Sequence, residues 1–256
     1  EIIVCADSAD QWWPHADFDP VLNRYLVVFS DSRNGDGMWL GNYDIYGALL
    51  DSDGKHIITP TCEADTCFGI ATDSSAVHYP AVAFNHESRS YLVVWADYRN
   101  ETVDIYGQRV SPDGELLSPP DIPNSSINFP ICNSPDGDQD VPDVSYNAIT
   151  NEWFVVFSWG DWHDSDIYGQ RVNRFGKLLR RDGTEGAEPI LITERTGVNR
   201  DGVQPRVQFN NETIHGLNKM VNNNILSECL VTWRKNKPGI YDPDIWRSLL
   251  KPTFHK

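Results

Sequence analysis

Asp44-Ile-Tyr-Gly47 is followed along the chain by Asp104-Ile-Tyr-Gly107, Asp166-Ile-Tyr-Gly169 and a degenerate fourth copy, Asp244-Ile-Trp-Arg247. The first three copies are spaced by roughly 60 residues, which is the signature of a repeat architecture. A unit of this length cannot bury its apolar faces alone and does so by stacking on its neighbours. The sequence therefore predicts a chain of stacked units.

Each copy is preceded by two segments with strand character. The nearer one, such as Tyr91–Trp95, is apolar, β-branched and aromatic, as in a buried strand. The farther one, such as Pro80–Phe84, alternates with a period of two and begins with proline, where the missing N–H costs least. The repeated phrase starts a third strand, which ends in a glycine turn at Gly54 or Gly114, and a weaker fourth strand follows. Four antiparallel strands per unit are typical of a β-propeller blade.

We expect one all-β domain over residues 1–256, a β-propeller of four blades with four antiparallel strands each. The predicted blades cover about 14–60, 80–125, 142–193 and 205–250. Because the last blade lacks a fourth strand, we expect Glu1–Val4 to complete it and to remove the open edges of the ring. Two alternatives stay open, namely a fragment of a larger propeller and an open array.

The composition narrows the classes of partner. A net charge of −16 over 256 residues repels nucleic-acid phosphates and anionic membrane surfaces, so we expect no nucleic acid as a partner. The sequence has no apolar run near the ~18 residues that a membrane helix needs, so we expect no membrane insertion. It has no signal-peptide pattern either, which makes residue 1 a processed terminus or an artificial start. Cations and neutral glycans fit this charge better.

Cysteines and sequons favour an extracellular address. Of the five cysteines, Cys62 and Cys67 flank a short loop and predict a local disulfide, with two free thiols as the alternative. The pairing of Cys5, Cys132 and Cys229 stays open. Three N-glycosylation tripeptides fall in predicted loops, and they begin at Asn100, Asn124 and Asn211. Together these features predict a secreted or cell-surface protein.

Loops on one face of the predicted ring are rich in aromatic residues. Alternating strand directions bring the connectors between blades and the loops after each second strand to the same face. The residues assigned there to ligand binding are Trp13, Tyr79, Tyr98, Trp159, Trp162 and His163. Flat rings suit the C–H faces of sugars, and exposed aromatic patches often mark binding surfaces. The alternative is that the rings close the mouth of the ring, which applies most to Trp12 and Trp39.

Carboxylates fall into two groups, those that recur and those that do not. The aspartate of the repeated phrase recurs in every predicted blade, and the Asp-x-Arg pair recurs as Asp31/Arg33 and Asp97/Arg99, which predicts a structural role. Asp136, Asp138 and Asp140 alternate in one connector, and such oxygen-rich loops suit Ca²⁺ as a cofactor. The alternative for this loop is a solvated acidic segment.

Signatures of enzymes are scarce in the sequence. It has no Gly-x-Ser-x-Gly elbow, no zinc motif, no phosphate loop and no sialidase-type aspartate box, which favours a non-enzymatic protein. Glycosidases nevertheless use carboxylates that need no local motif. The candidates left open for such an acid and base are Glu63, Asp65, Asp161 and Asp164.

Tyr91–Arg99 followed by Asp104–Val110 resembles the repeat of secreted microbial β-propeller-like proteins, and the chain is similar to hemopexin-like four-bladed propellers in size only. The resemblance implies the architecture and an extracellular location. Our first expectation for function is a non-catalytic binding or adhesion module that recognises glycans or glycoproteins. The alternatives are a self-associating subunit of a surface layer, filament or matrix, and a glycoside hydrolase.

Overall fold

A computed structural model describes residues 2–35, 42–60, 67–72, 76–119, 128–161, 164–193, 204–209, 229–237 and 240–250. These residues form an all-β structure. Within them no helix is long and apolar enough to cross a membrane. The strands group into four antiparallel sheets, which follow one another along the chain.

Sheets 1 and 2 have the same order of strands. Sheet 1 consists of β1 (Gln11–Asp19), β2 (Arg24–Asp31), β3 (Asp44–Asp51) and β4 (Phe68–Ala71). Sheet 2 consists of β5 (Val77–Asn85), β6 (Ser90–Asp97), β7 (Asp104–Val110), β8 (Leu116–Leu117) and β9 (Phe129–Cys132). Both β8 and β9 pair with β7, so the outer edge of sheet 2 is built from two short strands.

Sheets 3 and 4 continue the pattern. Sheet 3 consists of β10 (Asp138–Asn147), β11 (Glu152–Asp161), β12 (Asp164–Asn173), β13 (Leu178–Leu179) and β14 (Ile190–Leu191), the last two both paired with β12. Sheet 4 consists of β15 (Pro205–Phe209), β16 (Cys229–Lys237) and β17 (Ile240–Leu250). The first strand of every sheet is called its inner strand below.

Successive sheets are joined along their inner strands. The Phe84 N–H donates to Asp17 Oδ2 at 2.7 Å, which links β5 to β1. The Trp153 indole donates to the carbonyl of Ala83 at 3.0 Å, and the Val207 N–H donates to Asp143 Oδ2 at 2.7 Å. Apolar clusters fill the space between sheets 1 and 2, 2 and 3, and 3 and 4. Sheets that pack in this way around their inner strands form a β-propeller arrangement.

The repeated phrase has a packing reason. A Cβ at Gly47, Gly107 or Gly169 would lie within 3 Å of a side chain from the same sheet or its outer strand, so only glycine fits. The tyrosines of the first two copies lie under arginines, with Arg33 3.9 Å from the Tyr46 ring centroid and Arg99 4.1 Å from that of Tyr106.

The recurring aspartates fix those two arginines in place. Arg33 pairs with the buried Asp31 at 2.8 Å, and Arg99 pairs with the buried Asp97 at 2.6 Å. Each aspartate also accepts the backbone N–H of its arginine, so the pair fixes the end of the second strand. The pairs are therefore part of the architecture in both sheets.

The expected closure of the ring by the N-terminal strand is wrong for the described residues Ile2–Val4. They form no strand, and they lie against sheet 1 rather than sheet 4. The carbonyl of Ile3 is 3.1 Å from His56 Nε2, and Val4 packs on the apolar cluster around Phe29. The physical reason is that the outer part of sheet 1 offers this segment an apolar surface to cover. Among the described residues, none of the sheets closes the ring.

Candidate functional site

The inner strand β15 begins at its proline, Pro205, as the sequence predicted, whereas the other three inner strands run through theirs. Strands β1, β5 and β10 start three or four residues earlier, and each has a shift of register at the proline. The residue before the proline has a positive φ: 49° at Trp13, 54° at Tyr79 and 49° at Val141. Proline has no N–H to donate to the ladder, which explains the bulge at this point.

These bulges are strained, because non-glycine residues rarely adopt positive φ. Such outliers often lie at functional sites. All three lie at the end of the inner strands where the strands begin, which is called the upper end below. They turn the side chains of Trp13 and Tyr79 toward each other, with ring centroids 4.5 Å apart.

An aromatic cluster forms around that contact. The His78 ring lies 5.4 Å from Trp13, 5.4 Å from Tyr43 and 5.2 Å from Tyr98. His78 and Tyr43 are buried, Trp13 and Tyr79 are half-buried, and Tyr98 is 40% exposed. Burial lowers the pKa of His78 to about 4, so its ring is neutral near pH 7. The cluster therefore has a buried base and an exposed rim.

The structure brings together three of the six residues that the sequence assigned to ligand binding, namely Trp13, Tyr79 and Tyr98. Trp159 lies apart from them on sheet 3, where its ring packs on Tyr168 at 4.7 Å. Its indole N–H donates to the carbonyl of Asp136 at 3.2 Å. Trp162 and His163, like Trp39, lie outside the described residues.

Sequence reasoning missed Tyr43, which lies in the base of the cluster. It directly precedes Asp44 of the repeated phrase, in the position that Val103 occupies in the next repeat. An aromatic residue at that variable position was the available signal.

Asp140 lies beside the aromatic rim, at the bulge of β10. Burial, with a smaller contribution from the negative charge of Asp138, raises the pKa of Asp140 to about 6. The Val141 N–H donates to Asp140 Oδ1 at 2.7 Å, which opposes that shift. Burial also raises the pKa values of Tyr79 and Tyr98, with a smaller contribution from the charge of Asp140. The carboxyl group thus shares its surroundings with both tyrosines.

The predicted calcium loop does not assemble as a cluster in the part of the chain that the structure describes. These residues contain no group of three His, Cys, Asp or Glu side chains that could hold a metal ion. Asp138 Oδ1 instead accepts the Val103 N–H at 3.0 Å. Binding of Ca²⁺ by Asp136, Asp138 and Asp140 stays a prediction.

A cavity of about 480 Å³ lies among the four inner strands. Three charged or titratable side chains converge at its upper end, one residue after the proline of their respective strands. His15 Nε2 is 3.6 Å from Asp143 Oδ1, and Arg206 Nη1 is 4.0 Å from the same oxygen. The fourth equivalent position is Ala81. Sheets 1, 3 and 4 therefore each contribute one polar side chain to the upper end of the cavity.

Asp143 is buried, yet one of its oxygens lacks a hydrogen bond. Its Oδ2 accepts the Val207 N–H, whereas Oδ1 has no hydrogen-bond partner among the described residues. Burial raises the pKa of Asp143 to about 6, although Arg206 and backbone N–H groups favour the ionised form. This carboxyl group can therefore hold or release a proton near neutral pH.

His15 is neutral beside it. Burial, with a smaller contribution from the positive charge of Arg206, lowers the pKa of His15 to about 4. Since His15 Nδ1 accepts the Val82 N–H at 3.3 Å, the proton of the neutral ring is on Nε2, which faces Asp143. The contact is too long for a good hydrogen bond and leaves room for a ligand atom to bridge the two groups.

The remaining predicted sites are only partly visible. Cys67 is described as a buried free thiol, whereas Cys62 lies outside the described residues. Asn100 is exposed and donates its side-chain amide to Asp104. Four further candidates lie outside the described residues, namely Asn124, Asn211, Glu63 and Asp65. Asp161 lies in β11 and Asp164 in β12, but their side chains are not described.

No family model matches this chain, and no curated protein matches it. Solved structures do. A thermostable family-43 glycoside hydrolase has a TM-score of 0.52 at 16% identity, and the match covers 94% of this chain and 71% of that one. An N-acetylgalactosamine deacetylase from F. plautii in complex with blood group B trisaccharide has a TM-score of 0.52 at 8% identity, over 89% of this chain and 63% of that one.

A third similar structure is an exo-β-1,3-galactanase from Phanerochaete chrysosporium with β-1,3-galactotriose. Its TM-score is 0.50 at 12% identity, and the match covers 96% of this chain and 47% of that one, so this chain spans about half of its length. Identities this low show a shared fold. The three proteins are enzymes, however, and our expectation of a non-catalytic binding or adhesion module is therefore wrong.

Proposed function

We propose that this chain is a glycan-acting enzyme of the glycoside hydrolase type, with its site at the upper end of the inner strands. The observation that carries the proposal is Asp143 Oδ1, a buried carboxylate oxygen without a hydrogen bond at the wall of a cavity. A buried polar atom of this kind costs stability unless something satisfies it. A sugar hydroxyl or a glycosidic oxygen supplies the missing partner.

The aromatic cluster supports a sugar as the ligand. Part of the ring surface stays exposed at Trp13, Tyr79 and Tyr98. Trp13 and Tyr79 directly precede the prolines of β1 and β5, and Tyr98 lies on the loop after β6. Sugar rings have apolar C–H faces and polar edges. A substrate that packs one face on these rings presents its hydroxyl groups to Asp140, Asp143 and Arg206.

Glycoside hydrolysis uses two carboxyl groups. One protonates the leaving oxygen, and the other activates a water molecule or attacks the anomeric carbon. A proton donor works best when its pKa is close to the working pH, and both Asp143 and Asp140 have a pKa of about 6. We assign the acid role to Asp143, because its free oxygen faces the cavity, and the second role to Asp140. His15 and Arg206 flank the Asp143 carboxyl group, which the Val207 N–H holds through Oδ2.

The similar solved structures add support, since they are named as a glycoside hydrolase, a galactanase and a deacetylase of an amino sugar. The glycan that this chain accepts is not transferred from them. Four further expectations stay predictions, namely secretion, a count of four blades, binding of Ca²⁺, and binding of glycoproteins or self-association.

The test is the release of reducing ends from a panel of neutral polysaccharides, followed by kinetics on the best substrate. D143N and D140N should each lower kcat by about 10²- to 10⁴-fold, because each removes a proton-transfer group. D136N is the matched control, since it removes the same charge from an exposed side chain of the same connector, and it should keep full activity. Wild-type activity in D143N and D140N, or no activity on any substrate, would refute the proposal. Circular dichroism confirms that each variant is folded.

A further inference from the structure

The N-terminal segment meets sheet 1 at two cysteines. Cys5 is half-buried and packs on the apolar cluster that contains Phe29, Tyr46 and Cys67. Cys67 directly precedes β4, is 9% exposed, and has its Sγ 3.7 Å from the carbonyl of Val4. The two side chains lie side by side in this cluster.

The pair is specific to sheet 1. The register of β3 with β4 and of β7 with β9 makes Phe68 equivalent to Phe129, so Cys67 corresponds to Asn128 in sheet 2. The asparagine there has a structural task, since it donates to the carbonyl of Ile70 and to Gln108. Cys67 is therefore not an element of the repeated architecture.

Arg33 lies beside both sulfur atoms, which differ in burial. Its Nη2 donates to Cys5 Sγ at 3.2 Å, and the same Nη2 pairs with Asp31 Oδ2 at 2.8 Å. A cation beside a sulfur atom stabilises the thiolate, which is the attacking form in disulfide exchange. Burial raises the pKa of Cys67, and the neighbouring Cys5 raises it further. Cys5 is the less buried of the two and is thus the more accessible first nucleophile, with Cys67 the thiol that follows.

We propose that Cys5 and Cys67 form a disulfide that fastens the N-terminal segment to sheet 1, in place of the Cys62–Cys67 link that sequence spacing suggests. The oxidant is a small-molecule disulfide such as oxidised glutathione. The Cys5 thiolate attacks it, which forms a mixed disulfide and releases one small thiol. Cys67 gives up its proton and attacks the sulfur of Cys5, which releases the second small thiol. Two protein thiols are oxidised and one small disulfide is reduced to two thiols.

The experiment maps the link in the folded chain. The purified protein is equilibrated in a glutathione redox buffer, its remaining thiols are blocked with N-ethylmaleimide, and it is digested without reduction. Trypsin alone cannot resolve the pairing, because no Lys or Arg separates Cys62 from Cys67. Cleavage after Glu63 with Glu-C separates them. Mass spectrometry then identifies which cysteine is linked to which.

The expected result is a cross-linked peptide that joins Cys5 to Cys67 in the wild type and in the control C62S, and its loss in C5S and in C67S. In urea the outcome should reverse toward Cys62–Cys67, because a short loop costs less entropy to close. A Cys62–Cys67 or Cys5–Cys62 link as the main product of the folded protein overturns the proposal. So does complete labelling of Cys5 and Cys67 by N-ethylmaleimide in the oxidising buffer.

Discussion

Replacing Gly107 by alanine tests whether close packing is what the repeated phrase encodes. A Cβ on Gly107 would lie 2.8 Å from Ile131 Cδ1, 3.3 Å from the backbone oxygen of Val93 and 3.4 Å from Leu92 Cδ1. Carbon atoms normally approach to about 3.5 to 4.0 Å, so the contact with Ile131 is the limiting one. Ile131 is 1% exposed and packs between sheets 2 and 3, so its side chain has little room to move.

The magnitudes follow from these contacts. Forcing an extra methyl group into a packed core costs about 1 to 3 kcal/mol, which we expect for G107A. I131V removes the clashing Cδ1 atom and alone costs about 0.5 to 1.5 kcal/mol. In the double variant the alanine methyl group occupies the space left by Cδ1. The double variant should therefore be more stable than the sum of the single changes predicts, by about 1 kcal/mol.

The assay is unfolding in urea, monitored by the fluorescence of the buried tryptophans, among them Trp95 and Trp153. G47A is the matched control, because a Cβ at Gly47 would meet Ile70 and Phe68 in sheet 1 instead of Ile131. Its cost should add to that of I131V without coupling. If G107A and I131V are also additive, the Ile131 contact does not exclude a side chain at Gly107 and the packing explanation is refuted.

Three further predictions concern the Asp–Arg pair, the cavity and the aromatic rim. D97A should lower the free energy of unfolding in urea by about 3 to 5 kcal/mol, because it removes a buried partner of Arg99 and of the Trp95 indole. A decrease of less than about 1 kcal/mol would contradict that role. The pKa of Asp143 is raised from its ordinary value of 3.8 to about 6, so its stabilising effect is complete below about pH 4 and is lost as the pH rises to about 6, by roughly 3 kcal/mol. The pKa of His15 is lowered to about 4, so His15 changes the stability in the opposite direction over the same pH range. The quantity to measure is therefore the difference in unfolding free energy between wild type and D143N across that range. A difference that does not change with pH would refute the assignment. W13A should raise KM about tenfold on the best substrate found, which corresponds to about 1.4 kcal/mol of lost stacking. W159F is the control and should leave KM unchanged, because Trp159 packs on Tyr168. Equal effects of the two changes would count against the site.

Features that depend on short stretches of chain could be predicted from the sequence. The second strands, the third strands that begin with the repeated phrase, and the turns at Gly54 and Gly114 all appear where local pattern predicts them, and both glycines have positive φ. The place of the N-terminal segment could not be predicted. It depends on contacts between Ile3 and His56 and between Val4 and Cys67, more than 50 residues apart, which local pattern does not encode.

The inner strands show why the charged group of the cavity was missed. Sequence reasoning placed function in loops where the repeats differ and treated strand positions as structural. Yet the residue after the proline changes completely from one repeat to the next, as His15, Ala81, Asp143 and Arg206, and so does the residue two positions later, whereas the positions between and after them stay apolar or aromatic. A core position would retain its apolar character in every copy, because each copy packs against the next in the same way. Loss of that character at the strand positions that line the cavity is therefore a functional signal.

The geometry of a propeller explains why one such position can build a whole site. Inner strands of successive sheets lie next to one another around the cavity, so the same position from several repeats meets at one level. His15 comes from sheet 1, Asp143 from sheet 3 and Arg206 from sheet 4, and they approach within 4.0 Å although they are far apart in sequence. A repeat that kept one identity at this position would place like charges together, which is unfavourable. Divergence of the copies is what allows a carboxylate, a neutral imidazole and a guanidinium to share the upper end of the cavity.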